Sequence, residues 1–301
     1  MPTPKKKVIV TGASGLIGKE TIEPLKKLDY EIYALTRSNF TSAKDINWIN
    51  CDIFSQDDIE RTFKEVKATH LLSLAWATTG DYLSSNINFD YLKSGLEMLK
   101  HFSQNGGKRA VFAGTVFEYD YKDEPLKETD LCNPVSVYAK CKNHLRQLAE
   151  IFCKQNNISF GWGRIFYVYG LKENLKRLVA HTINSLKNDK EVVITNGSLI
   201  RDYVFSKDIA AALVKFLDTQ VCSIVNIATS KGISLGDFAL LIADKLNKRN
   251  LIKILYQPVD QPKLIVGDNT RLASEVGYKM EYDYQKAIDC ILDDMLKDEK
   301  K

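Results

Sequence analysis

The sequence has no C-x-x-C pair, and its six cysteines, Cys51, Cys132, Cys141, Cys153, Cys222 and Cys290, show no zinc spacing. A disulfide scaffold and a structural zinc module are therefore excluded, no metal site is expected, and the thiols read as reduced side chains of a cytoplasmic protein. No apolar run exceeds strand length and no secretory h-region precedes the cysteines, so no membrane association is expected. Excess charge is also scarce, since 42 Lys and Arg face 38 Asp and Glu for a net +4. The one basic run, Lys5 to Lys7, reads as a solvated edge, and no basic stripe with interleaved aromatics points to nucleic acid. Repeats, low-complexity tracts and flexible linkers are missing too. What remains is a chain of 301 residues, 45% hydrophobic and 27% charged, long enough for one large α/β core or a main domain with a smaller appendage.

The stretch from Val8 through Thr11, Gly12, Ser14, Gly15, Leu16, Ile17 and Gly18 to Lys19 reads as a buried strand, a tight glycine turn and a helix start. Gly12 and Gly15 remove the Cβ atoms that would keep the backbone away from a pyrophosphate, and Gly18 lets the helix pack closely on the strand. The spacing is Gly-x-x-Gly-x-x-Gly, one residue wider at the front than the commonest dinucleotide fingerprint. Cofactor contacts are expected from Gly12, Ser14, Gly15, Leu16, Ile17 and Gly18.

Further strands at residues 30–36, 49–53, 70–77, 109–115 and 160–170 alternate with helices at 21–28, 57–66, 87–104 and 136–155. That alternation predicts an α/β, Rossmann-type, doubly wound parallel sheet with ligands at the carboxyl ends of the strands. The second strand ends at Thr36-Arg37-Ser38 with no acid to meet the ribose hydroxyls of NAD, whereas the fork of Arg37 suits a 2′-phosphate. NADP(H) is accordingly favoured over NAD(H). Asp52 and Ile53 are expected at the adenine edge, and Leu74, Ala75 and Trp76 on the nicotinamide side. Downstream the segments shorten. We expect a dinucleotide-binding domain over 1–170, rejoined by segments within 202–228, and a smaller C-terminal substrate-binding lobe over 171–301.

Tyr138 and Lys142 stand at i and i+4, on one face of a helix. A lysine one turn from a phenol favours phenolate and eases proton transfer near neutrality. Thr115 ends the fifth strand, where its hydroxyl could hold a substrate oxygen against Tyr138. Cys141 reads as a packed bystander. The order of glycine turn, Thr, then Tyr-x-x-x-Lys carries a specificity that none of the three has alone.

With those residues in place, the chain resembles the extended short-chain dehydrogenase/reductases, in the nucleotide-sugar epimerase, dehydratase and ketoreductase group. The likeness runs from Lys7 to about Tyr284. It implies that Thr115, Tyr138 and Lys142 are catalytic, with Tyr138 and Lys142 also touching the cofactor. It implies too that the segment from Arg164 to Gly170 opens a sugar-nucleotide pocket, that Arg201 in Arg201-Asp202-Tyr203 meets a substrate diphosphate, and that Asp268 and Arg271 line the nucleotide site. Substrate contacts are thus expected from Thr115, Val116, Phe117, Tyr167, Arg177, Arg201, Asp268 and Arg271. A homodimer through the helices at 87–104 and 136–155 is typical of the group, although Leu145, Leu148 and Ile151 could equally face the core.

Within the group, 4,6-dehydratases carry an Asp-Glu pair directly after the catalytic Thr, where this chain has Val116 and Phe117. Glu118 comes one residue late and would face the other way if the strand continued. The resemblance therefore points to an NADPH-dependent reductase acting on the C4 keto group of a nucleotide-linked 4-keto-6-deoxy sugar, for surface polysaccharide. The alternative is an NAD-dependent nucleotide-sugar 4-epimerase; a dehydratase or a non-catalytic nucleotide-binding protein is disfavoured.

Overall fold

Val8, Ile9 and Val10 are all fully buried, yet Val8 and Val10 pack into one apolar cluster and Ile9 into another. Side chains alternate across a strand, so this strand has a separate core layer on each face. A computed structural model describes residues 5–37, 45–258 and 260–298 of the chain. Ser38, expected beside the cofactor ribose, lies outside the described residues.

The main elements follow as β1 (Lys7–Thr11), α1 (Ile22–Lys27), β2 (Glu31–Thr36), β3 (Asn47–Asn50), α2 (Gln56–Val66), β4 (His70–Ser73), α3 (Ile87–Gln104), β5 (Arg109–Thr115), α4 (Val137–Gln155) and β6 (Ser159–Ile165). After these come β7 (Tyr167–Tyr169), α5 (Leu178–Lys187), β8 (Val192–Ile194), β9 (Ile200–Arg201), β10 (Tyr203–Phe205), α6 (Ser206–Leu217) and β11 (Ile224–Ile227). Seven strands form one parallel sheet in the order β11-β6-β5-β4-β1-β2-β3. The chain winds outward from β1 to β3, then crosses back to place β4 on the other side of β1. That reversal opens a crevice at the carboxyl ends of β1 and β4, the position where doubly wound sheets hold ligands.

Four expected elements are drawn differently. The first helix begins as a 3-10 turn over Gly18–Thr21, and Pro24 falls in the first turn of α1, where its missing N–H costs nothing. The third strand runs over Asn47–Asn50 because the Asp52 N–H is taken by the Asp58 carboxylate at 2.9 Å. The fourth strand stops at Ser73 rather than continuing to residue 77. Thr11 Oγ1 accepts hydrogen bonds from the Leu74 and Ala75 N–H groups at 3.1 and 3.2 Å, drawing that backbone toward the glycine turn. The sixth strand breaks at Phe166: β6 stays in the main sheet, whereas β7 pairs with β10 outside it. A third apolar cluster, including Tyr169, Phe205 and Phe238, packs beneath that short pair.

Candidate active site

Gly12 has φ of +68°, and a Cβ there would lie 2.8 Å from the Ala75 nitrogen; at Gly18 it would lie 2.0 Å from the Gly12 carbonyl oxygen. No side chain fits either place, and the turn closes through Gly15 N–H to the Gly12 carbonyl at 3.0 Å. The bare backbone so produced forms one end of a cleft of about 670 Å3.

The far wall starts where β5 ends. Thr115 and Glu118 form a capping box, in which Thr115 Oγ1 accepts from the Phe117 N–H at 3.3 Å and Glu118 Oε1 accepts from the Thr115 N–H at 2.8 Å. The strand therefore does not continue past Thr115, and Glu118 turns inward. Fully buried, its carboxylate accepts from Trp162 Nε1 at 3.0 Å and pairs with Arg164 Nε at 2.8 Å. Arg164 in turn lies 4.3 Å over the Tyr119 ring and donates to Cys132 Sγ at 2.8 Å.

Helix α4 supplies the remaining groups. Ser136 caps it by accepting from the Ala139 N–H at 3.1 Å, which sets Tyr138 in the first turn and Lys142 one turn on. The Tyr138 ring is boxed edge-on by Tyr82, Trp76 and Phe117, with centroids 5.1, 6.1 and 6.4 Å away. Burial pushes its phenol well above the ordinary range, while a hydrogen bond with Thr115 and the charge of Arg177 oppose that rise. The expected action of Lys142 on the phenol is not among these influences. Lys142 is itself buried; its ammonium donates to the Ala113 carbonyl at 2.6 Å and sits 4.0 Å from the Trp76 ring centroid. Burial pulls Lys142 down to about 7, against the pull of the Glu118 carboxylate. The phenol thus stays protonated through neutral pH while the lysine is poised to lose its charge there.

Most of the expected residues line this cleft: Gly12, Gly15, Leu16, Ile17, Gly18, Leu74, Ala75, Trp76, Thr115, Val116, Phe117, Tyr138, Lys142, Tyr167 and Arg177. Ser14 sits exposed beside the turn. Arg37, exposed at the end of β2, and Asp52 both act on the phenol of Tyr91, which stacks on Trp76 at 5.0 Å. Ile53 lines a small hollow with the same two rings.

Three residues expected to touch substrate are not on the cleft wall. The Arg201 guanidinium is held by the carbonyls of Ile200, Pro262 and Lys263 at 2.9, 3.0 and 3.3 Å, and it backs the Tyr167 ring at 5.7 Å. Asp268 accepts from the Thr270 N–H at 2.8 Å, and Arg271 is spent on the Ile224 carbonyl and Glu275. Asp202, beside Arg201, knots two loops together by accepting from the N–H groups of Thr229, Ser230 and Gly267. Tyr82, Tyr91 and Glu173 were not anticipated at the site, and no local pattern marks them, whereas Arg164, expected to open the substrate pocket, is instead buried behind the wall against Glu118. Glu118 did carry a signal, since Thr-x-x-Glu after a strand is a capping-box signature.

Residues 8–228 match the model of the NAD dependent epimerase/dehydratase family. CDP-abequose synthase of Salmonella typhimurium is 27% identical over 305 residues, spanning 96% of this chain and 98% of that protein. A dTDP-6-deoxy-L-talose 4-dehydrogenase (NAD(+)) of Aggregatibacter actinomycetemcomitans is 25% identical over 238 residues, 76% of this chain and 86% of that one. The fold is that of the UDP-glucose 4-epimerase of Thermotoga maritima, solved with UDP-glucose, at a TM-score of 0.86 and 19% identity over 97% of this chain and 99% of the other.

Proposed function

The chain belongs to the NAD dependent epimerase/dehydratase family, and from that premise we propose that it reduces the C4 keto group of a nucleotide-linked 4-keto-6-deoxy sugar with NADPH. The observation that carries this reading is the meeting of Thr115, Tyr138 and Lys142 with the glycine turn on one cleft, while Val116 and Phe117 stand where an elimination would need acids. The turn, bare of Cβ atoms at Gly12 and Gly15, fits a dinucleotide diphosphate, and Arg37 at the end of β2 suits a 2′-phosphate. When bound, the cofactor supplies the hydride. Tyr138, kept protonated by burial, is the acid that gives a proton to the oxygen developing at C4. Thr115 hydrogen-bonds that oxygen, and Lys142, held over Trp76, supplies positive charge beneath the site. A relative named for 4-dehydrogenation of a nucleotide 6-deoxy sugar supports chemistry at C4.

The same reading assigns 1–170, with strands returning from 202–228, to the cofactor and 171–301 mainly to the nucleotide sugar, made for surface polysaccharide. It also makes the protein a homodimer. Phe89 on α3 and Leu148 and Ile151 on α4 are 57%, 46% and 58% exposed, whereas Leu145 is buried, so the two helices offer an apolar outer face. Among the described residues, no helix is long and apolar enough to cross a membrane.

The test is oxidation of NADPH and NADH with a panel of nucleotide-linked 4-keto-6-deoxy sugars, with products identified by mass and NMR. Stoichiometric NADPH consumption with one nucleotide is expected. Interconversion of nucleotide hexoses with no net oxidation overturns the reading in favour of a 4-epimerase.

A further inference from the structure

Glu173 lies on the cleft wall with its side chain only 2% exposed. The Gly170 N–H donates to its carboxyl. The Arg177 guanidinium comes no closer than 3.8 Å to Oε1, beyond hydrogen-bond reach, and is itself turned toward the Thr78 carbonyl at 3.3 Å. Among the described residues, Oε2 has no hydrogen-bond partner at all. Native proteins rarely leave a buried carboxyl oxygen unpaired, and this one borders an open cleft that a ligand could fill.

The position indicates which part of a ligand comes near. Lys19, next to Gly18 in the glycine turn, donates to the Leu171 carbonyl at 3.0 Å, which ties the loop carrying Glu173 to the turn. Lys176 and Arg177 line the same stretch of wall. A cleft that holds a bare glycine backbone, with a loop bearing two cations tied to it through Lys19, is a place for phosphate oxygens. An ionised carboxylate there would repel them; a neutral carboxyl would instead offer a donor.

We infer that Glu173 is a ligand-contacting residue that meets a diphosphate in this cleft as a neutral acid, donating a hydrogen bond from its carboxyl to a phosphate oxygen. The groups facing it are consistent with that state. Arg177 opposes protonation from the same loop, Tyr169 on β7 and Tyr203 on β10 face it as neutral phenols, and burial outweighs Arg177 to lift Glu173 to about 7. The inference rests on the reading of the cleft as a nucleotide site. Both the dinucleotide and the nucleotide sugar carry a diphosphate, and the experiment separates them.

Binding of NADH, NADPH and of UDP-, CDP-, dTDP- and GDP-linked glucose to the full chain is measured calorimetrically from about pH 6 to about pH 8.5. For one of the two ligand classes, Kd is expected to rise about tenfold or more across that range as Glu173 ionises. Glu173→Gln, whose amide still donates, keeps the tight acidic-side affinity and abolishes the rise; Glu173→Leu binds weakly throughout. A ligand-free check is the difference infrared spectrum of wild type against Glu173→Gln, where a protonated-carboxyl stretch is expected on the acidic side; it and the Gln variant decide the matter even if the Leu variant does not fold. Binding that is independent of pH, that tightens with pH, or that keeps its rise in Glu173→Gln overturns the inference alone. Failure of every nucleotide to bind overturns the reading of the cleft and this inference with it.

Discussion

Glu118 and Arg164 pair at 2.8 Å with side chains 0% and 1% exposed, directly beneath the turn that presents Thr115. A buried ion pair is rarely a large net stabiliser, but removing one partner strands the other charge in a medium that cannot solvate it. Glu118→Ala is therefore expected to cost about 3–5 kcal/mol of stability, read from the denaturant midpoint. Glu118→Gln keeps an acceptor for the Thr115 N–H yet leaves Arg164 uncompensated, so it should lie between wild type and the Ala variant. Equal stability of all three would show that the pair is replaceable.

Tyr138→Phe removes the proposed proton donor while leaving the aromatic box filled. Turnover is expected to fall by a factor of about 10²–10⁴, with the Kd for NADPH changed little. Retention of most of the turnover would remove Tyr138 from the chemistry.

The Trp76 ring stabilises the cationic form of Lys142 from 4.0 Å. Such a contact is worth about 0.5–2 kcal/mol when desolvated, so Trp76→Leu should push Lys142 further below its present value of about 7. If turnover needs the cation, the basic-side fall of the kcat/KM profile moves to lower pH in this variant. A profile that stays in place separates Lys142 from the rate.

Burial raises Glu173 from 4.5 to about 7 on folding, so folding favours its proton. Stability from this group is fully present below about 4.5 and is lost as pH rises through about 7. Glu173→Gln should then match wild type in acid and exceed it near pH 8 by on the order of 1–3 kcal/mol. Thermal unfolding at the two pH values measures this, and a gain of equal size at both would assign it to packing.

The proposed homodimer places Phe89 and Ile151 in an interface. A charge at either position, as in Phe89→Asp or Ile151→Asp, is expected to halve the mass seen by light scattering while leaving the circular dichroism spectrum unchanged. A wild-type protein that is already monomeric would remove the dimer.

What the sequence disclosed is what depends on neighbours along the chain. The glycine turn, the buried strands and the Tyr138–Lys142 face follow from local spacing, and the structure brings Thr115 to that face at the end of an adjacent strand. The fates of Arg201 and Arg271 were hidden because a guanidinium finds its carbonyls through tertiary packing, here 61 residues away in the Arg201–Pro262 bond. Arg164 and Glu118 are likewise 46 residues apart, and only the pairing of β5 with β6 brings them together. The place where the sixth strand leaves the sheet was hidden for the same reason, since β7 goes to a partner, β10, that lies far downstream.

That departure at Phe166 also bears on how such a protein diversifies. The chain leaves the sheet after β6, builds the wall carrying Tyr167, Glu173 and Arg177, then returns through α6 to lie beside β6 again as β11. Both ends of the excursion are fastened to the same strand, so its interior can be lengthened, trimmed or rewritten at modest entropic cost. Selection can therefore retune which ligand is accepted, residue by residue, without disturbing the register of the half that carries Gly12 and Tyr138.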